Sequence, residues 1–432
     1  ASKIRQASKQ KISAVCVDAI DDEPYVSSQI NPLLHCSSEI VRAANWLASA
    51  FDVGERFIAE YFQDVEALGV RRATVHPKAT EHIPEIIALV QKLMDKGLAY
   101  KSTDGVYFDT EAFRGYGKLS GQNLEDLESG ARIQVDENKK HPMDFALWKA
   151  RKEGEPYWES PFGEGRPGWH IECSAMSMKY LGETIDIHCG GQDLVFPHHE
   201  NEVAQSEGAT GKPFARYWMH NGFINVNNEK MSKSAGNFFT VREIGEQFDL
   251  EAVRYFMLAA HYRSPLNFSR ELIEQSKAAL DRLYNARDNY EFLLKKGGTV
   301  DREPNEAEQK FLDGIPAIRE RFIAAMDDDL NTAGALGALF DLVKEGNIVA
   351  VTGASTKAVQ AALDALNELT GVLGLLYRKE ETAQDDVEAL VQQRQEARKA
   401  KNWKEADRLR DLITSMGYIL EDTPQGAKVR KA

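Results

Sequence analysis

The stretch Glu229-Lys230-Met231-Ser232-Lys233-Ser234, with Gly236 and Asn237 just beyond it, decides how the rest of the chain is read. Two lysines three apart, set among small hydroxyl residues and a glycine, suit a loop that folds over phosphates. Ammonium groups supply point charges there, and backbone N–H groups come close where side chains are small. A generic Lys-Ser run is more simply a solvated basic loop, so its neighbours must be weighed with it.

Upstream stands Pro197-His198-His199-Glu200-Asn201-Glu202, whose proline is well placed for a helix start. On a helix His198 and Glu202 share a face, at the spacing that lets two side chains grip one metal. Four residues after His199 comes Val203, so this is not the HExxH of zinc proteases. The plainer reading is a helix N-terminus with acidic residues set for its dipole. Cys173 adds a soft thiolate and shifts the balance toward zinc. Cys173, His198 and Glu202 then need one more protein ligand, or leave a position open. In Gly165–Met176, Trp169 could cover a small substrate or stack on a base, and His170 could donate to a phosphate or carboxylate. The glycines of Asp186-Ile187-His188-Cys189-Gly190-Gly191-Gln192-Asp193, at an apparent strand end, allow close backbone approach to a ligand.

The first stretch matches the KMSKS signature of class I aminoacyl-tRNA synthetases letter for letter. Together GWHIECSAM, DIHCGGQD, FPHHENE, WMHNGF and KMSKSAGNF resemble the cysteinyl-tRNA synthetases, in order and spacing. HPMDFALWK at 141–149, MDDDLNT at 326–332 and ARKAKNWKEADRLRDLI at 397–413 extend the resemblance, from about residue 53 to the C-terminus. It implies an α/β Rossmann-type class I core with its first half incomplete or divergent, an all-α helical bundle and a small anticodon-binding domain. The implied reaction is ATP-dependent activation of L-cysteine, with Mg2+, and transfer to tRNA(Cys) by a cytoplasmic monomer. By position, Cys173, His198 and Glu202 would hold one zinc per subunit, and Lys230 and Lys233 would be catalytic. Ser232, Lys233, Ser234 and His170 would bind ATP, and Trp169, His170 and His188 would line the cysteine and adenylate pocket.

One departure stands out. None of the ten histidines forms the H-x-G-H string with which the family's first helix opens against ATP. Cys16 is a weak candidate for the fourth ligand, because no glycine follows it in the family's manner. Residues 1–52 are therefore expected to be a truncated, misread or divergent part of the catalytic domain. A silent homologue that keeps zinc and tRNA binding is the alternative reading. A ligase joining cysteine to an amino sugar is disfavoured, since that family lacks the anticodon domain suggested by 380–432.

Composition agrees with a multi-domain globular protein: 432 residues, 43% hydrophobic and 28% charged. The net charge of -14 argues against non-specific coating of DNA but not against a shaped tRNA site. Four cysteines are too few for a disulfide framework in so long a chain. No apolar run is long enough to span a membrane or to follow the basic start as a signal peptide.

Apolar spacing predicts helix over 38–69, broken by Pro77, then a helix from Pro84 to Lys96 and a hairpin around Asp104-Gly105. An irregular insertion is expected over about 109–170 inside a catalytic core of 53–265. A bundle over 266–377 should follow, with a loop near Lys295–Asn305, then an anticodon domain over 378–432 with a linker at its start. There one helix from about Asp386 to Met416 would present Arg394, Arg398, Lys399, Lys401, Lys404, Arg408 and Arg410. Ala397, Ala400, Ala406, Leu409 and Leu412 would pack its other side, ahead of a short tail with Pro424 and Gly426. Arg398, Lys401, Trp403 and Arg408 are the expected tRNA contacts, Trp403 by stacking.

Overall fold

The computed structural model describes residues 53–122, 138–231, 237, 239–377, 385–423 and 426–431. It forms two compact units, one of the chain up to Gln63 with Ala73–His220, the other of Asp64–Arg72 with Asn221–Ala432. Helix α1 (Val53–Ala67) follows the expected spacing, whereas 38–52 lie outside the described residues. It stops well before Pro77, because Gly69 turns left-handed at φ 72°.

In the first unit, helix α2 (Ile83–Asp95) carries Pro84 in its first turn and buries Ile83, Ile86, Leu89, Val90 and Leu93. Each such side chain contributes roughly 1.5–3 kcal/mol of burial. Gly97, at φ 72°, ends it. Strands β1 (Ala99–Ser102) and β2 (Gly105–Phe108) make the expected hairpin, with Tyr100 opposite Tyr107. The supposed irregular insertion is partly regular. Strands β3 (Phe145–Ala150) and β4 (Gly165–Pro167) extend the hairpin into an antiparallel sheet ordered β1-β2-β3-β4. Burial of Phe145, Leu147 and Trp148 drives this, and the charge-rich flanks hid it from composition. Buried Asp144 accepts hydrogen bonds from Tyr100 Oη at 2.7 Å, Thr110 N at 2.9 Å and His141 N at 3.1 Å. Residues 123–137 lie outside the described residues.

Helix α3 (Trp169–Leu181) starts hard against β3. A Cβ on Gly168 would fall 1.8 Å from the Ala146 carbonyl oxygen, so only glycine fits there. Strand β5 (Ile185–Gly191), helix α4 (Glu200–Thr210) and strand β6 (Ala215–Asn221) complete the unit, with β5 beside β6. Fully buried Ser174 lies between α3 and α4, accepting from Gln205 Nε2 at 3.0 Å.

The second unit opens with a hairpin of β7 (Ile224–Val226) and β8 (Glu229–Lys230). Asn227 and Asn228 take φ of 51° and 68°, the left-handed pair that a tight two-residue hairpin turn requires. Strand β9 (Leu266–Phe268) runs parallel to β7. Two shorter helices, α5 (Val241–Gly245) and α6 (Leu250–Leu258), precede the bundle helices α7 (Arg270–Lys295), α8 (Glu306–Asp327), α9 (Thr332–Val349) and α10 (Thr356–Leu373). Ser269, Asn305 and Asn331 cap α7, α8 and α9 with side-chain acceptors. Leu280, Leu283, Tyr290, Phe311, Phe322, Leu339 and Leu366 fill the core. The bundle is not wholly helical: β10 (Thr299–Val300), within the expected loop region, pairs with β11 (Ala354–Ser355), which precedes α10.

The C-terminal reading needs correction. The single expected helix is two, α11 (Asp385–Lys399) and α12 (Trp403–Ser415), broken where Lys401 turns left-handed at φ 57°. The expected tail is instead a hairpin, β12 (Tyr418–Thr423) with β13 (Gly426–Lys431). Val387, Val391, Ile413 and Tyr418 make a small core that a lone amphipathic helix could not close. Of the linker expected over 378–386, residues 378–384 lie outside the described residues, and Asp385 and Asp386 begin α11 instead.

Candidate active site and metal centre

Helix α3 brings up Trp169, His170 and Cys173, strand β5 brings His188, the turn before α4 brings His198 and His199, and the start of α4 brings Glu202. The α-helix begins at Glu200, and the two histidines sit on a wider turn, Val195–His199, just before it. The non-helical residue is Phe196, ahead of His198, and Glu202 acts electrostatically on His198 four residues before it. The Cys173 thiol hydrogen-bonds Glu202. His188 Nε2 lies 2.5 Å from Glu202 Oε2. Glu202 is therefore the hub, itself buried.

Ligand atoms of His188, His199 and Glu202 lie within 4.8 Å of one another. Among the described residues this is the group that meets that spacing, and it shares only Glu202 with the trio read from the sequence. His188, expected in the substrate pocket, thus touches the metal-type carboxylate. His199, His220 and Trp218 went unassigned in the sequence, although all lie in quoted motifs. His199 Nδ1 and His220 Nε2 are 2.8 Å apart, and Trp218 stacks on His188 with centroids 4.7 Å apart. Gly190 has a packing role rather than a ligand-approach role: a Cβ there would meet the His199 ring at 2.5 Å.

Burial dominates the electrostatics. Burial, then His188, His220 and His198, push His199 down to about 3. Burial, then His198 and Lys149, push His170 down to about 3 as well. Burial also lowers His198, against the pull of Glu202 and Asp193. Such imidazoles stay neutral, the form in which histidine ligates metal. Crowding by protein, then Glu202 and Glu172, push the Cys173 thiol up to about 12, although the residue has one side open to solvent. A thiol, neutral imidazoles and a buried carboxylate suit a cation, and the mixed sulfur, nitrogen and oxygen set suits zinc. His170 Nδ1 is buried and has no partner among the described residues, so a ligand group there would satisfy it. Its neighbour Trp169 is exposed and faces His198, with ring centroids 5.5 Å apart.

In the second unit, Lys230 ends β8 opposite Asn225, which puts the expected phosphate loop straight after a tight hairpin. Ser232, Lys233 and Ser234 lie outside the described residues, as do Cys16 and all of 1–52. At the C-terminal end, the continuous cationic face is largely used up in ion pairs. Arg394 is buried and grips Asp422 through both nitrogens at 2.7 and 2.9 Å, and Arg398 reaches the same carboxylate. Arg408 pairs with Glu405, and Arg410 with Asp407. Ala406 and Leu409 pack as expected and Ile413 packs with them, whereas Ala400 and Leu412 are exposed. Lys399, Lys401 and Lys404 are exposed, and Trp403 is 60% exposed as a stacking side chain must be.

Residues 26–278 match the family described as tRNA synthetases class I (C) catalytic domain. The fold agrees. Methionyl-tRNA synthetase of Mycobacterium tuberculosis, solved with methionyl-adenylate, is similar at TM-score 0.53 and 17% identity, over 78% of this chain and 79% of that one. A putative arginyl-tRNA synthetase from Campylobacter jejuni is similar at TM-score 0.52 and 13% identity, over 84% and 73%. The catalytic unit is thus that of a class I aminoacyl-tRNA synthetase.

Residues 321–377 match the DALR domain, and 382–430 the cysteinyl-tRNA ligase anticodon binding domain. The cysteine--tRNA ligase of Caldicellulosiruptor saccharolyticus is 57% identical over 386 residues, 89% of this chain and 82% of the relative. That of Clostridioides difficile is 55% identical over 381 residues, 88% and 82%. The chain belongs to the cysteine--tRNA ligase family. The catalytic-domain match starts at residue 26, well before the resemblance seen by motif, because no HIGH-type string marks that segment.

Proposed function

We propose that this chain activates L-cysteine with ATP and passes the cysteinyl group to tRNA(Cys), as a cytoplasmic monomer. The observation that carries it is the Glu202 carboxylate gathering Cys173 and His188 beside neutral histidines, with Trp169 and His170 on the helix that carries Cys173 and His170 Nδ1 buried with no hydrogen-bond partner among the described residues. In the first step a cysteine carboxylate oxygen attacks the α-phosphorus, and the bond to pyrophosphate breaks. In the second, a hydroxyl of the tRNA 3′ end attacks the acyl carbon and AMP leaves. Neither step needs a protein nucleophile, only positioned donors and cations.

Each residue has a stated part. Cys173, His198 and Glu202 would hold one zinc, with His188 and His199 oriented on the same carboxylate cluster. Zinc, when bound, supplies a soft Lewis acid that a substrate thiolate ligates well and a serine hydroxyl poorly. That discrimination exceeds the ~1–3 kcal/mol of a methylene-sized pocket difference, so no editing step is required. Trp169 and His170 cover and orient the adenylate. Ser232, Lys233 and Ser234 close over the ATP phosphates with Mg2+, and Lys230 supports them. Arg398, Lys401, Trp403 and Arg408 meet the tRNA, with Trp403 the stacking platform.

Cysteine-dependent ATP–pyrophosphate exchange tests the first step. The expected result is exchange with cysteine and none with serine. Absence of exchange in zinc-replete protein overturns the reading.

A further inference from the structure

The first turn of α4 is held from outside by a strap, residues 113–122, that follows β2. Glu200 is fully buried, and its carboxylate faces the strap rather than the donor cluster. Oε2 accepts from Leu119 N at 3.1 Å and Ser120 N at 2.8 Å. The next residue, Asn201, accepts from Tyr116 Oη at 2.5 Å. Tyr116 stacks on Phe145 and meets Phe196, the residue just before Pro197-His198, edge to face. Leu119 itself packs against the cluster of Ile185, Val203, Phe214 and Trp218.

We infer that Glu200 is a positioning residue: by clamping the Leu119 and Ser120 amides it fixes the angle at which α4 presents Glu202 and joins the turn that carries His198 and His199. The inference rests on the metal reading above, and names what aims that site from the opposite side of the helix. Hydrogen bonds to a carboxylate are roughly twice as strong as neutral ones, and this carboxylate belongs to a fully buried residue. An acidic residue placed only for the helix dipole would stay exposed in the first turn. Glu200 is buried on its own pair of amides instead, one residue before Asn201 and two before Glu202. Partners that orient ligands are worth ~10–100-fold in metal affinity when lost.

Cobalt(II) is the probe, titrated into the full chain after zinc removal, with its visible absorption reporting thiolate and imidazole ligation. Glu200→Ala should bind Co2+ ~10-fold or more weakly than the unsubstituted chain, and Glu200→Gln should recover part of the loss. Tyr116→Phe removes only the neighbouring bond and keeps the fold, so it should move affinity in the same direction by less. Amide exchange at Leu119 and Ser120 should quicken in both Glu200 variants. Unchanged cobalt affinity in Glu200→Ala and Tyr116→Phe, whatever their melting temperatures, overturns the inference. If the unsubstituted chain binds no cobalt, the metal reading fails instead. The imidazole C–H proton shifts of His198 and His199 then decide: altered in Glu200→Gln they support the positioning role, unaltered they overturn it.

Discussion

The Nε2 of His188 lies 2.5 Å from Oε2 of Glu202, so a strand end and a helix start share one carboxylate that also takes the Cys173 thiol. A carboxylate so placed orients donors as well as being one. Elemental analysis should find about one zinc per chain. Cys173→Ala and Glu202→Gln should lose it, whereas His188→Gln should keep it with affinity lowered ~10–100-fold. Full retention by Cys173→Ala removes that residue from the site.

Lys233 is proposed to meet charge that develops on the phosphates only in the transition state. Lys233→Ala should slow adenylate formation by ~10²-fold or more, with little change in ATP binding. Single-turnover quench-flow measures both, and a normal rate takes the residue out of the mechanism.

Glu308 tests the bundle. It is buried, Arg302 holds it through two nitrogens at 2.8 Å, and Ser355 N and Asn305 N donate to it. The Arg302 hydrogen bonds, then those backbone donors, hold its carboxyl down at about 2. A carboxylate lowered on folding stabilises above its unfolded value of ~4.3 and loses that contribution as pH falls toward 2. Water at Arg302, which is 36% exposed, screens the pair, so the loss should be only about 1 kcal/mol. Urea unfolding from pH 6 to pH 2 should show it, and Glu308→Gln should flatten the slope.

At the C-terminal end, Trp403→Ala should weaken tRNA binding by ~1–3 kcal/mol, the worth of one base stack. Deleting 380–432 should weaken it further while leaving zinc content unchanged. Filter binding at two salt concentrations checks this, because remaining cations at Lys399, Lys401 and Lys404 should keep the affinity salt-dependent. Equal affinity with and without the segment would falsify the tRNA role.

Arg394 should matter for stability rather than for RNA. It is buried against Asp422, so Arg394→Ala should destabilise the C-terminal segment by about 2 kcal/mol, discounted because Asp422 is partly exposed. A thermal melt that loses only the last transition is the expected outcome.

Sequence reading found the helices with strong periodicity and the hairpin at Asp104-Gly105, because period and turn residues are local properties. It missed β3 and β4, where burial rather than composition made the strands, and it fused α11 with α12 because Lys401 gives no breaker signal. It read Arg394 as a surface cation. Nothing local says that Asp422, 28 residues on, comes back to meet it.

By itself the sequence determined the family, since catalytic and binding strings are carried by residue type and order, and it nominated Cys173, Trp169, His170, His198 and Glu202. Only the tertiary structure decided that Glu202 is shared by Cys173 and His188, that His199 and His220 join them, and that Glu200 faces away onto Leu119 and Ser120. The reason is physical. Residue type limits what a side chain can ligate, but burial sets its protonation. Which carboxylate oxygen meets which donor depends on how α3, β5 and α4 pack, and packing joins residues that sequence spacing keeps apart.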